Sequence, residues 1–135
     1  MTEPVRAVLF VKDLRRLAAF YQETCELEPV RQGDDHVVLS RPGFELVVHQ
    51  IPERFLTQVP ADAPVRRREG GTLKLCFPVS DLARTRAAVA SAGGVVDPVD
   101  SEWVDEGARV GMGHDPEGNV FQVRARGARA GRDGA

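Results

Sequence analysis

Only two cysteines occur in these 135 residues, Cys25 and Cys76, too few to build a disulfide framework. Each sits inside an apolar pattern, and Met1-Thr2-Glu3-Pro4 lacks the basic-then-apolar layout of a secretion leader. A reducing cytoplasm is therefore the expected location. No apolar run approaches the roughly 20 residues that would cross a bilayer, so no membrane partner is expected. Positive charge is also in short supply. The net charge is -2, without the cationic excess by which general nucleic-acid binders displace counterions. The local run Arg66-Arg67-Arg68 is offset by Glu69 and reads as a solvated loop. A serine-centred elbow, a phosphate-binding glycine loop and a Cys-x-x-Cys pair are all missing, and with them the signatures of common hydrolases, nucleotide binders and thiol redox proteins.

What the chain does contain is alternating strand and helix patterning. Val5 to Val11 is a short apolar run suited to a buried strand. Asp13 follows where an N-cap would stand, its carboxylate able to accept from the free amides of a helix. Leu14, Leu17, Ala18, Tyr21 and Cys25 then recur at three- and four-residue spacing and make one apolar stripe. After a break at Glu28-Pro29, Val37 to Leu39 and Phe44 to Val48 read as a hairpin, because Pro42-Gly43 supplies a fixed φ and then a tolerated positive one. From Ile51 to Gly71 the pattern dissolves into a connector.

The order then repeats. Leu73 to Val79 is a second apolar strand, and Asp81-Leu82 restates the cap Asp13-Leu14 at an interval of 68 residues. Leu82, Thr85, Val89 and Ala92 form a second stripe, closed by Gly93-Gly94. Val95 to Val99, Ala108 to Met112 and Asn119 to Val123 supply three more strands, with Asp115-Pro116-Glu117-Gly118 turning before the last. Strand–helix–strand–strand–strand thus occurs twice, an internal duplication that constrains the fold. The domain is expected over residues 1–124, with module 1 at about 4–51, a connector at 52–71 and module 2 at about 72–124. The Arg-, Gly- and Ala-rich stretch 125–135 has no apolar face and is expected to be a disordered tail.

Val8 to Leu14 with Phe20-Tyr21, Leu75 to Leu82, and Asp115-Pro116-Glu117-Gly118-Asn119 followed by Val120 to Val123 carry a family resemblance. In these segments the chain resembles the vicinal oxygen chelate superfamily of glyoxalases, extradiol dioxygenases, fosfomycin-resistance enzymes and bleomycin-resistance proteins. The resemblance implies an α+β fold of two tandem βαβββ modules forming a curved mixed sheet around a cavity, with the helices outside. It also implies a homodimer.

Metal enzymes of this family place His, Glu or Gln ligands at four points, which by the resemblance fall here on Arg6, Glu45, Lys74 and Gln122. A guanidinium does not deprotonate at accessible pH, and an ammonium offers no lone pair, so Arg6 and Lys74 do not replace histidine ligands. No cofactor is expected; if a divalent metal is held, Glu45 and Gln122 are its ligands. Two readings of the quartet stand. In one, Arg6 and Lys74 take the electrostatic part of the missing cation and hold an anionic group such as a carboxylate. In the other, they form an internal salt bridge that fills the cavity.

Val8, Phe10, Val47, Trp103 and Met112 are candidates for an apolar wall against a flat ligand, with a plain core role as the alternative. Cys76 is expected to face inward beside Lys74, where an ammonium would lower its thiol pKa, or else to be a buried inert thiol. His49 shares a strand face with Glu45 and Val47 but lies about 13 Å from Glu45 along the strand, too far for one shared metal. His36 is expected opposite His49, either as a second imidazole for a transition metal or as an unrelated, partly exposed histidine. His114 is expected to make a local backbone bond. The function expected is metal-independent binding of a small organic ligand, anionic or aromatic. The alternative is a lyase or dioxygenase of the vicinal oxygen chelate type with a non-standard metal site.

Overall fold

The opening apolar run folds as β1 (Val5–Val11), and Asp13 caps α1 (Leu14–Thr24) by accepting from the Arg16 amide at 3.2 Å. Such a cap is worth about 1 kcal/mol. This is a computed structural model, and it describes residues 3–56 and 64–126. Two compact units divide the chain, residues 1–65 and 66–135.

In the first unit β2 (Glu28–Gln32), β3 (His36–Arg41) and β4 (Phe44–Gln50) follow α1. The sheet order is β1-β4-β3-β2, with β1 parallel to β4 and the other neighbours antiparallel. The hairpin turns on Pro42-Gly43 as its sequence requires, Gly43 taking a φ of 79°. β2 is the strand the sequence conceals, since all five of its residues are exposed and show no apolar alternation. The helical stripe Leu14, Leu17, Ala18, Tyr21 and Cys25 is buried throughout. It lies against the sheet face carrying Leu39, Leu46 and Val48, each fully buried. Each such side chain contributes roughly 1.5–3 kcal/mol. A short helix, α2 (Glu53–Leu56), begins the connector.

The second unit repeats the plan. β5 (Cys76–Pro78) leads to α3 (Leu82–Ser91), whose cap Asp81 accepts from the Arg84 amide at 2.9 Å. Gly93 ends the helix with a φ of 95°, and the Gly94 amide returns to the Val89 carbonyl at 2.9 Å. The strands β6 (Val95–Val96), β7 (Trp103–Asp105), β8 (Ala108–His114) and β9 (Val120–Ala125) complete it. The path is β5-β9-β8-β6, with β5 parallel to β9 and β7 also paired to β8. β6 and β7 together do the work of β2, interrupted by a 3-10 turn at Val99–Ser101. Phe77 and Phe121 meet edge to face at 6.4 Å on the α3 side. The architecture is therefore α+β, two βαβββ modules each with its own mixed sheet and helix.

Three boundaries differ from the sequence reading. The second module's first strand is confined to Cys76–Pro78, so Leu73 and Lys74 precede it. The strand expected over Val95 to Val99 stops at Val96. β9 runs to Ala125, one residue into the expected tail. The remainder of that tail from 127, and connector residues 57–63, lie outside the described residues.

Arg67 is not part of a freely solvated loop. It makes paired bonds to Asp97 at 2.6 and 2.9 Å and an ion pair with Glu69, while the Arg68 amide donates to Gly118 O at 2.8 Å. The turn that receives this segment is built by Asp115, which is fully buried. Its carboxylate accepts from the Glu117 amide (2.8 Å), the Asn119 amide (3.0 Å) and Asn119 Nδ2 (2.9 Å). His114 makes the local backbone bond expected of it, to the Asp115 carbonyl at 2.9 Å.

Candidate functional site

Side chains alternate along a strand, so the face of the first sheet opposite α1 collects Arg6, Val8 and Phe10 from β1. Their register partners on β4 are Glu45, Val47 and His49, and β3 adds Ser40, Val38 and His36. Seven of the residues singled out in the sequence thus share one surface. Val8 is 55% and Phe10 51% exposed, while Val38 and Val47 between the strands are buried. Val8 and Phe10 stand on β1, an edge strand of this sheet, and such large uncovered apolar side chains distinguish this face from core.

At one end Arg6 Nε donates to Glu45 Oε1 at 2.7 Å. The Arg6 side chain is 46% exposed and that of Glu45 17%. Among the described residues this bond uses one edge of the guanidinium, and its terminal amino groups take no other. Glu45 therefore orients Arg6 and offsets its charge without occupying its full donor set.

At the other end three rings run across the strands. Phe10 and His49 stand 5.0 Å apart at a 42° tilt, and His49 stacks on His36 at 6.0 Å and 17°. His36 lies opposite His49 in register, as the two-residue turn requires. Asp35 Oδ1 is 2.8 Å from His36 Nδ1, and its Oδ2 is 3.7 Å from His49 Nε2. His49 Nδ1 is 2.8 Å from the Gln50 carbonyl, which only accepts, so that nitrogen carries a proton. The hydrogen bond from His36 holds the Asp35 carboxyl below its usual range, with both histidines adding electrostatically. Sequence reading missed Asp35. Its only signal was its place beside His36 at the tip of an unrecognised β2–β3 hairpin.

In the second unit Cys76, Gln122 and Met112 are register neighbours across β5, β9 and β8. Trp103 pairs with Val110, two residues from Met112 on the same face. Lys74 precedes β5, and its ammonium donates to the Gly71 carbonyl at 3.1 Å. Cys76 corrects an expectation: it is exposed, because it opens an edge strand. Desolvation by the surrounding sheet raises its thiol above the ordinary value; the nearby cation Arg124 opposes the rise and Asp105 adds to it. The thiol is thus not lowered by Lys74. Arg124, two residues beyond Gln122 on β9, pairs with Asp105 at 3.4 Å and was not singled out in the sequence.

Two clefts of about 360 and 510 Å³ lie in the first unit, one at the start of α1 and one beside Ser40 and Arg41. Neither is lined by Arg6, Val8, Phe10, Glu45, Val47 or His49. Among the described residues no group of three or more His, Cys, Asp or Glu side chains is placed to hold a metal ion. The donors at the Arg6 end do not fit a divalent ion, since one Glu45 oxygen already accepts from a fixed guanidinium that would repel the metal. Among the described residues no helix is long and apolar enough to cross a membrane.

A family model described as a glyoxalase-like domain matches residues 6–124. The fold is similar to that of a glyoxalase/bleomycin resistance protein/dioxygenase family enzyme from Burkholderia phytofirmans, at 16% identity, TM-score 0.64, and coverage of 89% of this chain and 95% of that one. It is also similar to a glyoxalase-related enzyme from Fulvimarina pelagi (19% identity, TM-score 0.64, 93% and 88% covered). The fosfomycin resistance protein FosX from Listeria monocytogenes is a third such structure (15%, 0.62, 93% and 93%). No curated protein matches the chain in sequence.

Proposed function

The chain belongs to the glyoxalase-like domain family, and from that premise we propose that it is a metal-independent binding protein for a small, flat organic anion. The observation that carries the reading is Arg6. A half-exposed guanidinium held through Nε by Glu45 at 2.7 Å, on a face that also exposes Val8 and Phe10, keeps its terminal amino groups to take a carboxylate bidentately. Val8, Phe10 and Val47 then offer apolar area to the body of the ligand, and His49 closes the far end. The self-neutralising pair also supports the internal salt-bridge reading. The exposure of Arg6, Val8 and Phe10 favours the ligand reading, because an exposed ion pair adds little stability and uncovered apolar side chains beside it mark a contact surface.

The same proposal needs no cofactor and has the protein act as a homodimer in the cytoplasm, without nucleic-acid or membrane partners. Resistance by sequestration suits such a site. The competing reading, a lyase or dioxygenase with a non-standard metal, needs donors that the Arg6 end lacks.

Binding of 2-naphthoate, with the neutral 2-naphthamide as control, tests the proposal. The wild-type chain should prefer the carboxylate, and R6A should lose at least tenfold in naphthoate affinity, a loss of about 1.4 kcal/mol, while keeping naphthamide binding. If R6A lowers only thermal stability and leaves the carboxylate preference intact, the salt bridge is structural. Stoichiometric Ni, Zn, Mn or Fe in protein purified without chelators would favour the enzyme.

A further inference from the structure

The charge available on the ligand face is not constant. Arg6 and Glu45 cancel at one end. At the other, one carboxylate serves two imidazoles: Asp35 reaches His36 Nδ1 at 2.8 Å and His49 Nε2 at 3.7 Å. With the His49 Nδ1 proton committed to the Gln50 carbonyl, the neutral imidazole presents an unprotonated Nε2 toward a carboxylate oxygen. Two acceptors then face each other across 3.7 Å. A proton added there turns that opposition into an ion pair.

We propose that Asp35, His36 and His49 form a proton-responsive end of the ligand face, so that protonating the imidazoles strengthens capture of an organic anion. This rests on the reading that the face binds such an anion. Neutral imidazoles leave the Asp35 cluster at −1; protonating both brings it to +1. Two added charges act on an anion held at Arg6, about 13 Å away along the strands, largely screened by water and salt, and this corresponds to about a twofold change in affinity.

Around the two imidazoles β1 contributes Phe10, which has no charge, and β3 contributes His36. β2 sets Arg31 opposite Val38 and Glu28 opposite Ser40, a cation and a carboxylate on the far side of His36 from His49. The hairpin tip contributes Asp35, with Asp34 beside it. Lys12, Asp13 and Arg15 line the cleft next to Gln50. Gly33 supports the cluster mechanically, since a Cβ there would lie 2.5 Å from the His36 ring. The ring is held against the hairpin, within reach of Asp35.

The test compares 2-naphthoate and 2-naphthamide affinities at about pH 5.5 and about pH 8, where the naphthoate carboxylate stays ionised. Wild-type affinity for naphthoate should rise about twofold at the lower pH, and by more at low ionic strength, with naphthamide unchanged. The double variant H36Q/H49Q should keep the wild-type circular dichroism and a single thermal transition, which report an intact fold, and whatever its absolute affinity its naphthoate binding should be the same at both pH values. The single variants H36Q and H49Q should each keep part of the response. Naphthoate binding that is flat with pH in the wild type, or a full response in the double variant, overturns this inference alone. No naphthoate binding at either pH removes the ligand reading and this inference with it.

Discussion

Replacing Asp115 with alanine should cost more stability than any comparable exposed-face substitution, because one buried carboxylate closes the whole turn before β9. Its Oδ1 takes the amides of Glu117 and Asn119 at 2.8 and 3.0 Å, and its Oδ2 takes Asn119 Nδ2 at 2.9 Å. Asp115 itself is 0% exposed. Alanine leaves three donors without their acceptor, and a buried donor left unpaired costs about 1–3 kcal/mol. Glu117 and Asn119 are half-buried, so water recovers part of this, and the expected loss is about 3–4 kcal/mol. Asparagine keeps an oxygen where the two amides point and replaces only the oxygen that Asn119 Nδ2 reaches; D115N should lose about 1 kcal/mol. Urea unfolding at neutral pH reads both, with an unchanged slope showing that the unfolded state is not responsible. In thermal melts D115A should fall by about 10 °C. If D115A and D115N lose the same amount, or D115A loses less than about 1 kcal/mol, the turn is not held by this carboxylate.

Gly118 has a φ of 85°, and a Cβ there would lie 2.0 Å from the Arg66 carbonyl oxygen; G118A should cost at least about 2 kcal/mol and release the Arg66–Arg68 segment, read as faster hydrogen exchange at the Arg68 amide. Unchanged protection at Arg68 would contradict that coupling. Glu102 tests acid stability: burial pushes its carboxyl up, but hydrogen bonds from Arg109 and Arg86 outweigh this and hold it below the ordinary range. Its folded value lies below its unfolded one, so its stabilisation is complete above the ordinary carboxylate value of about 4.3 and is lost as pH falls through the folded value. E102Q should therefore be less stable than wild type at neutral pH and converge with it on acidification; a constant gap between the two urea midpoints would refute the assignment.

The local devices were legible in the sequence because each depends on neighbours within a few residues. Asp13 and Asp81 cap their helices, Pro42-Gly43 turns its hairpin, Gly93 ends α3, and the 68-residue interval between the caps exposes the duplication. β2 escaped because an exposed edge strand carries no alternation to read, and β7 because three residues with no buried member are too few to show a period. The register that sets Arg6 beside Glu45 was anticipated only through family likeness, His36 opposite His49 followed from the turn length, and Phe10 beside His49 was not anticipated. The Asp35 bridge and the Arg124–Asp105 pair were not anticipated at all.

Sequence by itself determined the two-module α+β plan, the helix caps and the tight turns, since hydrophobic period and turn chemistry are short-range properties. Tertiary structure alone decided which charges meet. Whether Arg6 is paired, whether Cys76 is buried, and whether a carboxylate bridges two imidazoles depend on strands brought together from distant parts of the chain. Hydrogen bonds need contact distance and ion-pair energies weaken with separation, so both take their values only once strand register is set.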